Sequence, residues 1–180
     1  GYEYSRTQNP TRMAWERCIA DLESGSHGFA FASGMATTAT VLELIDAGSH
    51  VIALDDLYGG SRRLFDGVRK RSANLDFTFL DMTELATVRE AIRPNTRLVW
   101  IESPSNPLLK IIDIAGLAEI CRERDLLLVV DNTFATPYLQ RPLELGADIV
   151  MHSATKYLNG HSDIVGGVAV TARDDLAERL

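Results

Sequence analysis

The chain has 180 residues, 46% hydrophobic and 24% charged, with a formal net charge of −7. That length suits one domain with a real core, and the acidic balance argues against general affinity for nucleic acid or an anionic membrane. No apolar run reaches transmembrane length and no signal peptide is visible, so a soluble protein of a reducing, cytoplasmic compartment is expected. Cys18 and Cys121 fall inside helical patterns and are expected to be buried thiols. The opening "GYEYSRTQNPTR" has no initiator Met and "ARDDLAERL" stops inside a helical pattern, so a fragment of a longer chain is expected.

In chain order, Asn9-Pro10 offers a cap and a first-turn proline for a helix over 10–24, closed by Gly25. Strands are expected at 28–32, 50–54, 76–80, 98–101, 126–130, 148–151 and 165–170. Helices are expected near 34–47, 60–72, 83–93, 114–124 and 172–180. Continuous aliphatic blocks such as "LLLVV" read as strands covered on both faces. The alternation predicts an α/β domain with a mostly parallel sheet and right-handed crossovers. Ligands of such sheets sit outside the carboxyl ends of the strands, which directs attention to the residue after each one.

After "FAFA", Ser33-Gly34-Met35 opens a helix whose free N–H groups attract an anion such as phosphate; a plain tight turn accounts for it equally. After "VIAL", Tyr58 precedes two glycines, so its ring either stacks on a planar heterocycle or packs on its own loop. After "LVWIE", two prolines hold Asn106 in place, ready to donate or accept hydrogen bonds, or simply brace a turn. Asp131 ends five aliphatics and needs a cation, strong donors or an N-cap role to offset desolvation. No His or Cys cluster at ligand spacing accompanies it, so no metal is expected. After "DIVMH" come Ser153, Thr155 and Lys156: two hydroxyls and an amine that is either a nucleophile, a phosphate ligand or a surface charge. An amine, a carboxylate, a flat ring and anion donors together suit pyridoxal 5′-phosphate, whose aldehyde, ring nitrogen and phosphate each need one of them.

The stretches "EYSRTQNPTR", "FASGMAT", "DDLYGGSRRLF", "WIESPSNP", "VVDNTFATPYLQRPLELGAD" and "HSATKYLNGHSD" span nearly the whole chain. In that order they resemble the Cys/Met-metabolism enzymes that use pyridoxal phosphate, the cystathionine γ-lyase and cystathionine γ-synthase group. The resemblance implies the large domain of a fold type I, aspartate-aminotransferase-like enzyme: a seven-stranded, mostly parallel sheet with helices on both faces and the C-terminal domain absent. It implies Lys156 as the Schiff-base lysine, Asp131 on the ring nitrogen and Tyr58 stacked on the ring, with Asn106 beside the ring oxygen and the substrate. Gly34, Met35, Ser153 and Thr155 would hold the phosphate. Tyr4 and Arg6 would reach into a neighbouring subunit's site, so that residues 1–24 serve the neighbour and residues 25–180 bind the cofactor. A homotetramer built as a dimer of active dimers is implied, acting on a small sulfur amino acid. The implied reaction is γ-elimination on cystathionine, with γ-replacement on an O-acylhomoserine by a synthase or sulfhydrylase as the alternative. "YGGS" lacks the cysteine that methionine γ-lyases usually carry there, which points away from them.

Two rivals of other classes are a catalytically silent module that keeps the fold and a nucleotide-binding protein using Ser33-Gly34. Retention of both Lys156 and Asp131 opposes the first; absence of a P-loop and of G-x-G-x-x-G opposes the second. His161 and Asp163 are expected to be structural, with Asn159 and Gly160 in a turn and His161 holding the lysine loop. His27, His50 and His152 have no partner legible in the sequence.

Overall fold

The aliphatic block that ends at Asp131 becomes the central strand of a seven-stranded sheet, where both its faces are covered. The computed structural model describes residues 1–180. The strands are β1 His27–Phe31, β2 His50–Leu54, β3 Asp76–Leu80, β4 Thr96–Glu102, β5 Leu127–Asp131, β6 Ile149–Ser153 and β7 Gly167–Thr171. Their order across the sheet is β1-β7-β6-β5-β4-β2-β3. Neighbours from β3 to β6 pair in parallel, and β7 runs antiparallel between β6 and β1. Reversing β7 alone makes β1 point the same way as β6. Six strands therefore end at one edge.

Helix α1, Pro10–Leu22, starts as its sequence requires: Asn9 Oδ1 accepts from Thr11 N and Arg12 N, with Pro10 in the first turn. Its end differs from expectation. The left-handed residue is Ser24 (φ 61°), whereas Gly25 is needed for space, since a Cβ there would lie 2.4 Å from Val170 Cγ1. α1 also covers the sheet edge, with Glu16 Oε1 accepting from Ala30 N of β1 at 2.9 Å.

Helix α2, Gly34–Val41, stops earlier than read and continues as a 3₁₀ turn, Leu42–Leu44. α1 and α2 lie on opposite faces of β7. Val168 and Val170 pack with Ile19 of α1, while a Cβ on Gly167 would lie 2.3 Å from Ser33 O and from Thr37 Oγ1 at the start of α2. Alternation along the strand separates the two sets. The helix expected over 60–72 is α3 Gly59–Arg63, a π-helical stretch Leu64–Arg69 and α4 Lys70–Ser72. The π stretch seats fully buried Phe65 against Phe77 and Trp100, with ring centroids 5.1 and 5.4 Å apart.

Helix α5 is Leu85–Ala91, and α6 is Ile114–Glu123, capped by Asp113 accepting from Gly116 N. α6 buries Ile114, Leu117, Ala118, Ile120 and Cys121, one face at helical spacing. Burial pushes the Cys121 thiol up to about 12, which leaves it unreactive. Cys18 is exposed, contrary to expectation, because it falls on the solvent side of α1. A short α7, Thr136–Leu139, was not foreseen, and α8 is only Asp174–Ala177 rather than a helix over 172–180. The helix-breaking Pro137 in "ATPYLQRP" hides the former.

Candidate active site

The edge where the strands end carries a cavity of about 220 Å³. It receives Ser33, Gly34 and Met35 after β1, Tyr58 after β2, Glu102 and Asn106 after β4, Asp131 after β5, and Ser153, Thr155 and Lys156 after β6. Every residue singled out in the strand-end reading thus lines one cavity. Tyr4 and Arg6 do not. Both are exposed, with the Arg6 guanidinium 5.2 Å from the Tyr4 ring centroid, and Arg12 steadies their segment by donating to the Arg6 and Thr7 carbonyls at 2.9 Å.

Asp131 is 7% exposed. Its Oδ1 accepts from Thr133 N at 3.0 Å and from Thr133 Oγ1 at 2.5 Å, and that hydroxyl accepts from Ser153 N at 2.9 Å. One threonine thus ties the ends of β5 and β6 together. It also supplies the donors that Asp131 needs, so the carboxylate caps no helix. Burial raises the Asp131 carboxyl, and the Thr133 bonds oppose the shift.

Lys156 is exposed to the cavity and forms no ion pair. Its loop is clasped below it: Thr155 N and Oγ1 donate to Gly166 O, and Gly166 N donates to Thr155 Oγ1 at 3.1 Å. Beyond the lysine, Gly160 turns the chain at φ 73°. There Asn159 does the holding, donating to His161 O at 2.7 Å and to Asp163 Oδ1 at 2.8 Å, while His161 makes one long contact at 3.3 Å.

Helix α2 opens onto the cavity. Ser33 Oγ caps it by accepting from Ala36 N at 3.0 Å, and the N–H groups of Gly34 and Met35 lie in the first turn, where no intrahelical acceptor exists. Gly34 admits no side chain: a Cβ would stand 2.7 Å from Ser153 Cβ and 2.9 Å from Ser153 Cα. Gly34→Ala is expected to destabilise the full-length protein by about 1–3 kcal/mol through overpacking, read by denaturant unfolding.

The Asn106 loop is gripped from β2. Asp56 accepts from Ser105 Oγ and from Leu108 N, and both Ser103-Pro104 and Asn106-Pro107 are cis. Tyr58, 46% exposed, lies over Gly60, where a Cβ would meet its ring at 2.3 Å.

Behind the cavity lies a buried polar network absent from the sequence reading. His152 Nε2 is 2.5 Å from Glu23 Oε1, and Asn132 Nδ2 donates to the same oxygen at 2.9 Å. Both His152 and Glu23 are fully buried. His50 bonds Thr96 and Thr78, and His27 pairs with Asp174. Glu102 was also missed as a site residue, although it closes "LVWIE" as Asp131 closes "LLLVV".

A family model described as Cys/Met metabolism PLP-dependent enzyme matches residues 1–180. The chain belongs to this family. Its cofactor is therefore pyridoxal phosphate. Among similar members, a cystathionine beta-lyase of Coxiella burnetii is 67% identical over 100% of this chain and 47% of its own length. A cystathionine gamma-lyase of Bacillus subtilis is 54% identical over 100% of this chain and 47% of its own. The crystal structure of cystathionine gamma-lyase from Lactobacillus plantarum complexed with L-serine superposes with a TM-score of 0.97 at 54% identity, covering 99% of this chain and 46% of that one. The chain spans about half the length of the relatives it matches. In this family the seven-stranded sheet seen here is the expected large domain.

Proposed function

We propose that the full-length protein is a pyridoxal-phosphate-dependent carbon–sulfur lyase acting on cystathionine. The observation that carries this reading is the convergence of one free amine, Lys156, and one buried carboxylate, Asp131, on a single cavity at the ends of adjacent strands. The donor set fits the cofactor. The α2 start supplies Gly34 and Met35 N–H groups and Ser153 supplies a hydroxyl for a phosphate, packed so closely that a Cβ at Gly34 has no room, while Thr155 lines the same wall and would have to release Gly166 O to donate as well. Tyr58 offers a ring face, and Asp131 a carboxylate for a cationic ring nitrogen.

Once bound, the cofactor supplies an electrophilic carbonyl and an electron-accepting ring. Lys156 Nζ would be the group that holds it covalently, and the same amine, lining the cavity, would serve as the base for the substrate α-proton. Asp131 would balance the positive charge of the ring. Asn106 orients the substrate, and residues 25–180 form the cofactor-binding part. Residues 1–24 carry Tyr4 and Arg6 to a neighbouring subunit in a homotetramer; that both are exposed and neither lines this chain's own cavity supports this. A cytoplasmic location completes the reading.

Of the two carbon–sulfur bonds, the reading takes the γ side, which releases cysteine, 2-oxobutanoate and ammonia. The γ-lyases of Bacillus subtilis and Lactobacillus plantarum support it. The beta-lyase of Coxiella burnetii, at 67% identity, favours the second reading, β-elimination to homocysteine, pyruvate and ammonia. Product analysis of full-length protein fed cystathionine decides between them. Formation of 2-oxobutanoate is expected; pyruvate instead selects the β side. Cystathionine made from an O-acylhomoserine and cysteine, with no cleavage, selects γ-replacement.

A further inference from the structure

Glu102 and Asp131 are register partners on neighbouring parallel strands, so their side chains leave the sheet on the same face. They are 3% and 7% exposed and line the same cavity. Their surroundings differ. Two donors from Thr133 converge on Asp131, whereas Glu102 accepts one, from Tyr58 N to Oε2 at 2.8 Å. Asp56, the third carboxylate near Glu102, is taken by Ser105 and Leu108. Lys156 lines the cavity without pairing with either carboxylate, and the nearby His152 ring is committed to Glu23.

Resting on the reading above, we propose that Glu102 is a positioning residue: a neutral carboxylic acid that fixes the Tyr58 backbone and leaves Asp131 as the single negative charge offered to a cationic ring nitrogen. Two carboxyls this near and this dry do not both ionise, because lost hydration and like charge each favour keeping a proton. The proton settles where fewer donors stabilise the anion, on Glu102, and a cation against Asp131 adds to that bias. Burial first, and the Asp131 charge second, push Glu102 up to about 8, so at neutral pH it holds its proton. Its carbonyl oxygen still accepts from Tyr58 N, which sets the chain entering α3 and with it the Tyr58 ring.

The test uses full-length protein and the variants Glu102→Gln and Glu102→Ala. Without added cofactor, infrared difference spectra at neutral pH should show a protonated-carboxyl band in the parent that Glu102→Gln lacks; identical spectra overturn the proposal. The folded-state value lies above the ordinary 4.5, so this group's stabilising contribution is complete at low pH and declines as pH rises. The parent's unfolding midpoint should therefore fall relative to Glu102→Gln between about pH 5 and about pH 8. A constant or widening advantage of the parent overturns it. In pyridoxal phosphate titrations, Glu102→Ala should bind about tenfold more weakly for loss of the Tyr58 hydrogen bond, and Glu102→Gln should recover most of that loss. A Gln variant as weak as the Ala variant overturns the proposal, since an ionised Glu102 would then be what the site uses. The first two readouts judge Glu102 without the cofactor; failure of the parent to take up pyridoxal phosphate would instead sink the functional reading.

Discussion

Lys156→Ala in the full-length protein is expected to lower cystathionine turnover by about 10³-fold or more, within or above the range for losing one positioned proton-transfer group. Nζ has two tasks in the proposed chemistry, covalent hold and proton transfer, and both end with the amine. Borohydride reduction followed by peptide mapping should find the cofactor fixed on Lys156 in the parent and nowhere in the variant. Stability should change by less than about 0.5 kcal/mol, because Lys156 is exposed and unpaired. Lys156→Arg should be equally inactive, since a guanidinium stays protonated. A variant that still turns over cystathionine at more than a tenth of the parent rate would remove the amine from the chemistry.

Glu23→Ala should act through stability. A ring nitrogen 2.5 Å from a carboxylate oxygen has a proton between them, so Glu23 satisfies one donor from His152 and one from Asn132. Truncation strands both in a site with no exposure. At about 1–3 kcal/mol for each stranded donor, the loss is about 2–6 kcal/mol, a large share of an ordinary domain's stability. Chemical denaturation of the full-length protein measures it. His152 and Asn132 sit next to Ser153 and Asp131, so pyridoxal phosphate affinity should fall as well. A loss below about 0.5 kcal/mol would mean that water replaces the carboxylate at no cost.

The strands were legible because each is a short apolar run, several of them continuous aliphatics and β1 and β3 built on phenylalanines. β2 and β3 match residue for residue, and β4 extends beyond the expected 98–101 because its ends, Thr96 and Glu102, are polar and carry no apolar signal. Family and fold class were legible from the six quoted stretches and are borne out by the match over residues 1–180 and the superposition with a γ-lyase. Less legible was whatever depends on tertiary context. Cys18 matches its helix's pattern yet faces solvent. The 59–72 helix has a π stretch fitted to Phe77 and Trp100, which belong to other strands. Glu23 and His152 are 129 residues apart, and no local pattern announces their meeting. Glu102 is different: it closes "LVWIE" as Asp131 closes "LLLVV", and a carboxylate ending an apolar strand, costly to desolvate, is the signal that could have found it.

Because the cavity draws on the ends of β1, β2, β4, β5 and β6, no single strand–loop–helix unit of the polypeptide contains it. Anything seated there recognises only the finished sheet, so its affinity is spent wholly on the native state, about 2.7 kcal/mol at a hundredfold excess over Kd. Saturation by such a molecule is therefore a gauge of how much of the population has completed its architecture.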